Sequence, residues 1–121
     1  MNGLILFAHG ARDAAWAAPF EAVAARLRER RPGLQVALAY LELMAPDLLT
    51  AAAALVHARC TRVDIVPMFL GTGGHVRRDL PALVQQLRAQ HHAIEWTLHA
   101  PIGEHPDVVE AMAAAALDGT D

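Results

Sequence analysis

A chain of 121 residues, 55% of them apolar, is most simply one domain spanning 1–121 with a single core, and it holds no apolar run long enough to cross a membrane. Its formal net charge of −3 argues against nucleic acid as the main partner, because phosphate binding usually needs a basic surface. The lone Cys60 excludes a disulfide framework and a cysteine-based metal cluster within one chain, and the lack of a basic leader followed by a cleavable apolar stretch makes the cytoplasm the expected location.

The uninterrupted apolar run Leu4-Ile5-Leu6-Phe7-Ala8 predicts a parallel strand covered on both faces, ending at His9. Trp16, Phe20, Val23 and Leu27 recur at helical spacing and predict an amphipathic helix over about 14–30, stopped by Pro32-Gly33. A second strand over about 34–41 leads to Glu42, and Pro46-Asp47 opens a second helix through Leu49, Ala52, Leu55 and Val56. A third strand over 62–70 contains Pro67, which lacks a donor and predicts a bulge there. It runs into Gly71-Thr72-Gly73-Gly74, whose glycines permit close approach of a ligand, and then His75. Leu80, Leu83, Val84 and Leu87 mark a third helix, which tolerates Pro81 only in its first turn. A weaker strand over about 94–99 and an alanine-rich helix opened by Pro106-Asp107 complete the chain.

The order is therefore (βα) four times, an α/β fold whose four-stranded parallel sheet has helices on both faces and the expected order 2-1-3-4. Two segments read His-x-x-Arg-Asp, His9 to Asp13 and His75 to Asp79, and each follows one of the strands that flank the switch point of such a sheet, where ligands bind. Their acidic residues, Asp13 and Asp79, read as helix caps. An internal βαβα duplication would explain both the repeated motif and the two Pro-Asp helix starts, with a shorter third helix absorbing the difference between their offsets.

Histidine is the side chain that holds transition metals and takes up protons near neutral pH. His9 and His75, with Glu42 beyond the second strand, form a candidate site suited to divalent iron, cobalt, nickel or zinc. All ten strong cations of the chain are arginines, and Arg12, Arg77 and Arg78 lie inside the two motifs, where guanidinium groups suit carboxylates or phosphates. A single histidine after a strand commonly has only a structural role, and Glu42 also suits a cap or an ion pair. The remaining histidines, 57, 91, 92, 99 and 105, read as surface or capping residues. On these residues alone an enzyme, a non-catalytic divalent-metal carrier and an anion-binding α/β module all stay open.

Three blocks carry a resemblance: Leu4 to Asp13, Ala39 to Pro46, and above all Val66-Pro67-Met68-Phe69-Leu70-Gly71-Thr72-Gly73-Gly74-His75-Val76-Arg77-Arg78-Asp79-Leu80-Pro81, with Ile102 to Pro106 also fitting. The sequence resembles the small class II chelatases of the CbiX type. The resemblance implies a lyase-type sirohydrochlorin cobaltochelatase or ferrochelatase, in the cobalamin or siroheme branch of tetrapyrrole biosynthesis. It implies that His9 and His75 are the metal-binding and catalytic histidines, with Glu42 an acidic helper. It further implies a short form that pairs as a homodimer around the tetrapyrrole. Cobalt, iron or nickel would then be a substrate, with no tightly bound cofactor. Arg12, Gly73, Gly74, Arg77 and Arg78 are the expected contacts to the carboxylate-bearing macrocycle.

Overall fold

The apolar run at the start of the chain lies within β1 (Asn2–Ala8), one of the two interior strands of the computed structural model, which describes residues 1–71 and 73–120 and, of His75, the backbone alone. A single 3-10 turn (Ala14–Ala17) leads into α1 (Ala18–Arg30), and the chain continues through β2 (Gln35–Tyr40), α2 (Leu48–His57), β3 (Arg62–Pro67), α3 (Gly74–Gln90) and β4 (Glu95–Leu98). A second 3-10 turn (Ile102–Glu104) precedes α4 (Pro106–Asp118). The four strands form one parallel sheet in the order β2-β1-β3-β4, as the alternation of strand and helix patterns predicts.

The helices divide two to each face of this sheet, but the two faces are packed unequally. On one face Ile5, Phe7, Val63, Ile65 and Trp96 pack with Leu48, Ala52 and Leu55 of α2 and with Leu80, Val84 and Leu87 of α3 to make the main core. On the other, Ala8 and Tyr40 pack against Ala17, Trp16 and Phe20, a smaller cluster. An apolar cleft of about 460 Å³ remains on that second face, lined by Leu4, Leu6 and Val66 of the sheet, Val23 and Leu27 of α1 and Val108 of α4. Helix α4 buries none of its residues, although its composition is almost wholly apolar. No helix among the described residues is long and apolar enough to cross a membrane.

The two βαβα halves repeat at an offset of 60 residues from the first strand of each to the start of its second, and only the last helices depart from it, α2 starting at Leu48 and α4 at Pro106. The helical segments Ala14–Arg30 and Gly74–Gln90 are of equal length, and β2 and β4 begin at Gln35 and Glu95. Arg28 donates to the Val36 carbonyl at 2.9 Å and Arg88 donates to that of Trp96 at 3.1 Å, the same clamp in each half. Strands β1 and β3 pair each residue with its own counterpart, from Asn2 with Arg62 to Phe7 with Pro67. The two His-x-x-Arg-Asp segments are offset by 66 and are therefore not counterparts. His9 precedes its helix, whereas His75 lies in the first turn of α3, so the expected shortening of the third helix does not occur.

Three further expectations change for local reasons. Pro67 closes β3 without a bulge, because its missing donor falls on the side of β4 and that strand has already ended at Leu98. Pro81 lies inside α3 rather than in its first turn, since the helix begins early, with Gly73 at its cap. For the same reason Asp79 is not a cap; it sits within α3, while Asp13 does accept the Ala15 N–H at 2.9 Å at the head of its turn.

Candidate functional site

The backbone hydrogen bonding between β1 and β2 continues for two bonds past the end of β2. Leu41 N–H donates to the Ala8 carbonyl at 2.9 Å and Glu42 N–H to that of His9 at 3.1 Å. These bonds carry Glu42 alongside His9 at the C-terminal edge of the sheet, where the chain turns left from β1 to β2 and right from β3 to β4. The side chains meet there: His9 Nε2 lies 3.1 Å from Glu42 Oε1, each about half exposed. A carboxylate only accepts, so the neutral imidazole that bonds it carries its proton on Nε2, which leaves the Nδ1 lone pair available to a metal or a proton. This is the arrangement by which carboxylates orient metal-binding histidines in proteins generally.

Close backbone packing holds the pair. Gly10 has φ +94°, and a Cβ at this position would overlap the Glu42 carbonyl oxygen, so only glycine lets the two loops touch. Beyond Glu42 the chain reverses in a three-residue turn closed by Met44 N–H on the Glu42 carbonyl at 2.8 Å, with Leu43 at φ +64° in its centre. Tyr40 N–H donates to the Pro46 carbonyl, and Asp47 then caps α2 by accepting the Thr50 N–H at 2.8 Å. On the other side of His9 the Phe69 ring stands edge-on to the imidazole, centroids 6.4 Å apart, and edge-on to Phe7 at 5.9 Å.

The other expected site residues are distributed around this edge. Arg12 is exposed in the loop after His9. Gly73 caps α3 and Gly74 is its first residue, and Arg78 Nε folds back onto the Gly74 carbonyl at 3.2 Å. Arg77 lines a cleft of about 160 Å³ with Leu80, Pro81, Leu98 and Pro101, between α3 and the end of β4. The side chain of His75, and Thr72 of the glycine loop, lie outside the described residues. Among the described residues no third His, Cys, Asp or Glu joins His9 and Glu42 in a cluster able to hold a metal ion.

Gly10, Leu43 and Phe69 escape a reading of the sequence. Each matters through contact between loops distant in the chain, which leaves no periodic pattern. Of the remaining histidines, His105 caps α4 by accepting the Asp107 N–H at 3.1 Å, and His99, just past the end of β4, pairs through Nε2 with Asp64 of β3 at 2.8 Å.

An open, doubly wound α/β domain with a histidine and a carboxylate in contact at its switch point defines the class. The CbiX family model matches residues 3–118, and the chain belongs to the CbiX family. A solved CbiX protein from Marinobacter aquaeolei VT8 superposes with a TM-score of 0.85 at 33% identity, covering 98% of this chain and 96% of that one. The sirohydrochlorin cobaltochelatase of Sulfolobus acidocaldarius is 27% identical over 125 residues, 99% of this chain and 98% of that protein. The sirohydrochlorin ferrochelatase of Bacillus subtilis is 28% identical over 75 residues, 62% of this chain but only 29% of that longer protein. The chain thus spans a minor part of one relative and nearly the whole of the others.

Proposed function

We propose that this protein inserts a divalent metal, Co2+ or Fe2+, into sirohydrochlorin or a closely related tetrapyrrole. The contact between His9 and Glu42 carries the reading. Insertion requires the ion to shed water and the macrocycle to lose two N–H protons as the metal–nitrogen bonds form, so the site needs a group that presents the ion and a group that receives protons. With Nε2–H given to Glu42, His9 offers Nδ1 for either purpose. Glu42 holds the ring in that tautomer, stabilises the imidazolium once it forms, and keeps a second oxygen for the ion or for passing the proton to solvent. His75, from the first turn of α3 beyond the neighbouring strand, is the second metal-binding and catalytic histidine in this reading. Arg12, Arg77, Arg78 and the backbone of Gly73 and Gly74 hold the macrocycle's carboxylates. The metal is a substrate, with no resident cofactor.

The same reading includes a homodimer. Val109, Met112, Ala113, Ala116 and Leu117 form one apolar stripe on α4, and all five are exposed in the single chain. The helix's strong charges, Asp107, Glu110 and Asp118, are all acidic, while α1, whose Val23 and Leu27 line the apolar cleft of the second face, carries Arg28 and Arg30 in its last turn. A second copy satisfies both features, and two adjoining C-terminal edges enclose a macrocycle better than one.

An anaerobic spectroscopic assay with sirohydrochlorin and Co2+ or Fe2+ tests the activity. The wild type is expected to accelerate insertion over the uncatalysed rate, and His9→Ala and His75→Ala are each expected to lose on the order of 100-fold or more. No acceleration with either metal removes the chelatase reading, and full activity in both folded variants removes this site.

A further inference from the structure

Among the described residues the large apolar side chains left exposed are Met1, three on α4, and two others, Leu43 and Leu70, at 60% and 71% exposure. Both of the latter belong to loops at the C-terminal edge of the sheet. Leu43 follows Glu42 beyond β2, and Leu70 follows Phe69 beyond β3, so the two stand on either side of His9 at the end of β1. The strands that deliver them are two spacings apart, about 10 Å.

Neither leucine is left outside by a loose loop. Leu43 is the centre of a turn closed by Met44 N–H on the Glu42 carbonyl, at φ +64°, a conformation that a γ-branched residue adopts only at a cost. The residue before it, Glu42, is seated against Gly10, where a Cβ would overlap the Glu42 carbonyl. Leu70 is seated in the same manner: a Cβ on Gly103 would overlap the Leu70 backbone, and Gly103 N–H donates to the Phe69 carbonyl at 2.9 Å. In each half of the fold a glycine of a facing loop packs on the backbone of the leucine or of the residue just before it, which constrains the leucine's backbone while its side chain stays mostly exposed. Exposed apolar side chains held by constrained backbone, flanking a polar reactive pair, suit a ligand with a broad apolar face and a polar centre.

We propose that Leu43 and Leu70 are substrate-binding residues that grip the apolar ring system of the macrocycle on either side of the His9–Glu42 pair and thereby set its position over His9. The proposal rests on the chelatase reading and assigns to this chain a pair of contacts that recognise the ring itself rather than its carboxylates.

The test titrates metal-free sirohydrochlorin into the wild-type protein, Leu43→Ala, Leu70→Ala, the double variant, and Leu43→Met and Leu70→Met, with Co2+ affinity measured alongside. Each alanine variant is expected to weaken macrocycle binding about tenfold, the effect of removing one leucine contact that the ring would bury, and to raise KM accordingly. The methionine variants restore most of the affinity, and Co2+ affinity stays at the wild-type value throughout. Wild-type macrocycle affinity in a folded double variant overturns the proposal, as does a parallel fall in Co2+ affinity, which would make the leucines supports of His9 and Glu42 instead. A wild-type protein that binds no sirohydrochlorin overturns the chelatase reading itself, and the leucine contacts with it.

Discussion

A methyl group on Gly10 has no room, because the Glu42 carbonyl occupies its place and the backbone there is at φ +94°. Gly10→Ala must therefore push apart the two loops whose side chains meet as His9 and Glu42. We expect this variant to lose at least tenfold in chelatase rate, and to add little further loss in a Glu42→Gln background, because both changes break one contact. A rate assay on the two single variants and the double variant checks this; fully additive losses would mean that Gly10 acts through some other part of the fold. His9 and Glu42 were legible in the sequence, since each follows a recognisable strand. Their direct contact was not, since it depends on backbone hydrogen bonding that runs two bonds past the end of β2 and on a glycine whose neighbour lies 32 positions away.

Capping chemistry explains which elements could be read from sequence and which could not. Pro46-Asp47 marks the start of α2 correctly, because Asp47 accepts the Thr50 N–H and the proline precedes the first turn. Hydrogen bonding from Thr50, by its side chain first and its backbone N–H second, holds the Asp47 carboxyl below its ordinary value of 3.8. A depressed folded-state pKa gives stability that is complete above the unfolded value and is lost as pH falls through the lower, folded one. Asp47→Ala should cost about 1 kcal/mol at neutral pH. The difference in urea midpoint between wild type and variant should shrink in acid below the unfolded value of 3.8. A gap that persists unchanged in acid would count against the cap. At α3 the same logic had nothing to work on. Gly73 caps the helix without a side chain, so Asp79 and Pro81 offered the only visible start signals and both mislead by several residues.

At the scale of the whole molecule the sheet has one well-filled face and one that is open between α1 and α4. The strand order, the parallel direction of the strands and the assignment of helices to both faces follow from the alternation of elements and could be read in advance. The thin packing of α4 could not, because a helix apolar on nearly every side has the composition of a buried one. If a second copy covers it, Met112→Asp and Leu117→Asp should convert a dimer to a monomer in sedimentation or light-scattering measurements. Neither residue is buried within the chain, so the circular dichroism and thermal midpoint of the monomer should change little. A wild type that stays monomeric at high concentration, or a charged stripe that leaves the dimer intact, would exclude α4 as the contact.

The repeat of 60 residues places Phe69 where the first half has His9, and Ile102 where it has Glu42. One scaffold thus appears twice with opposite furnishings at equivalent addresses, a polar pair in the first half and an apolar pair in the second. The result is a division of labour between twin halves: one can adjust its reactive groups while the other adjusts the wall beside them, and neither change disturbs the shared frame of strands and arginine clamps.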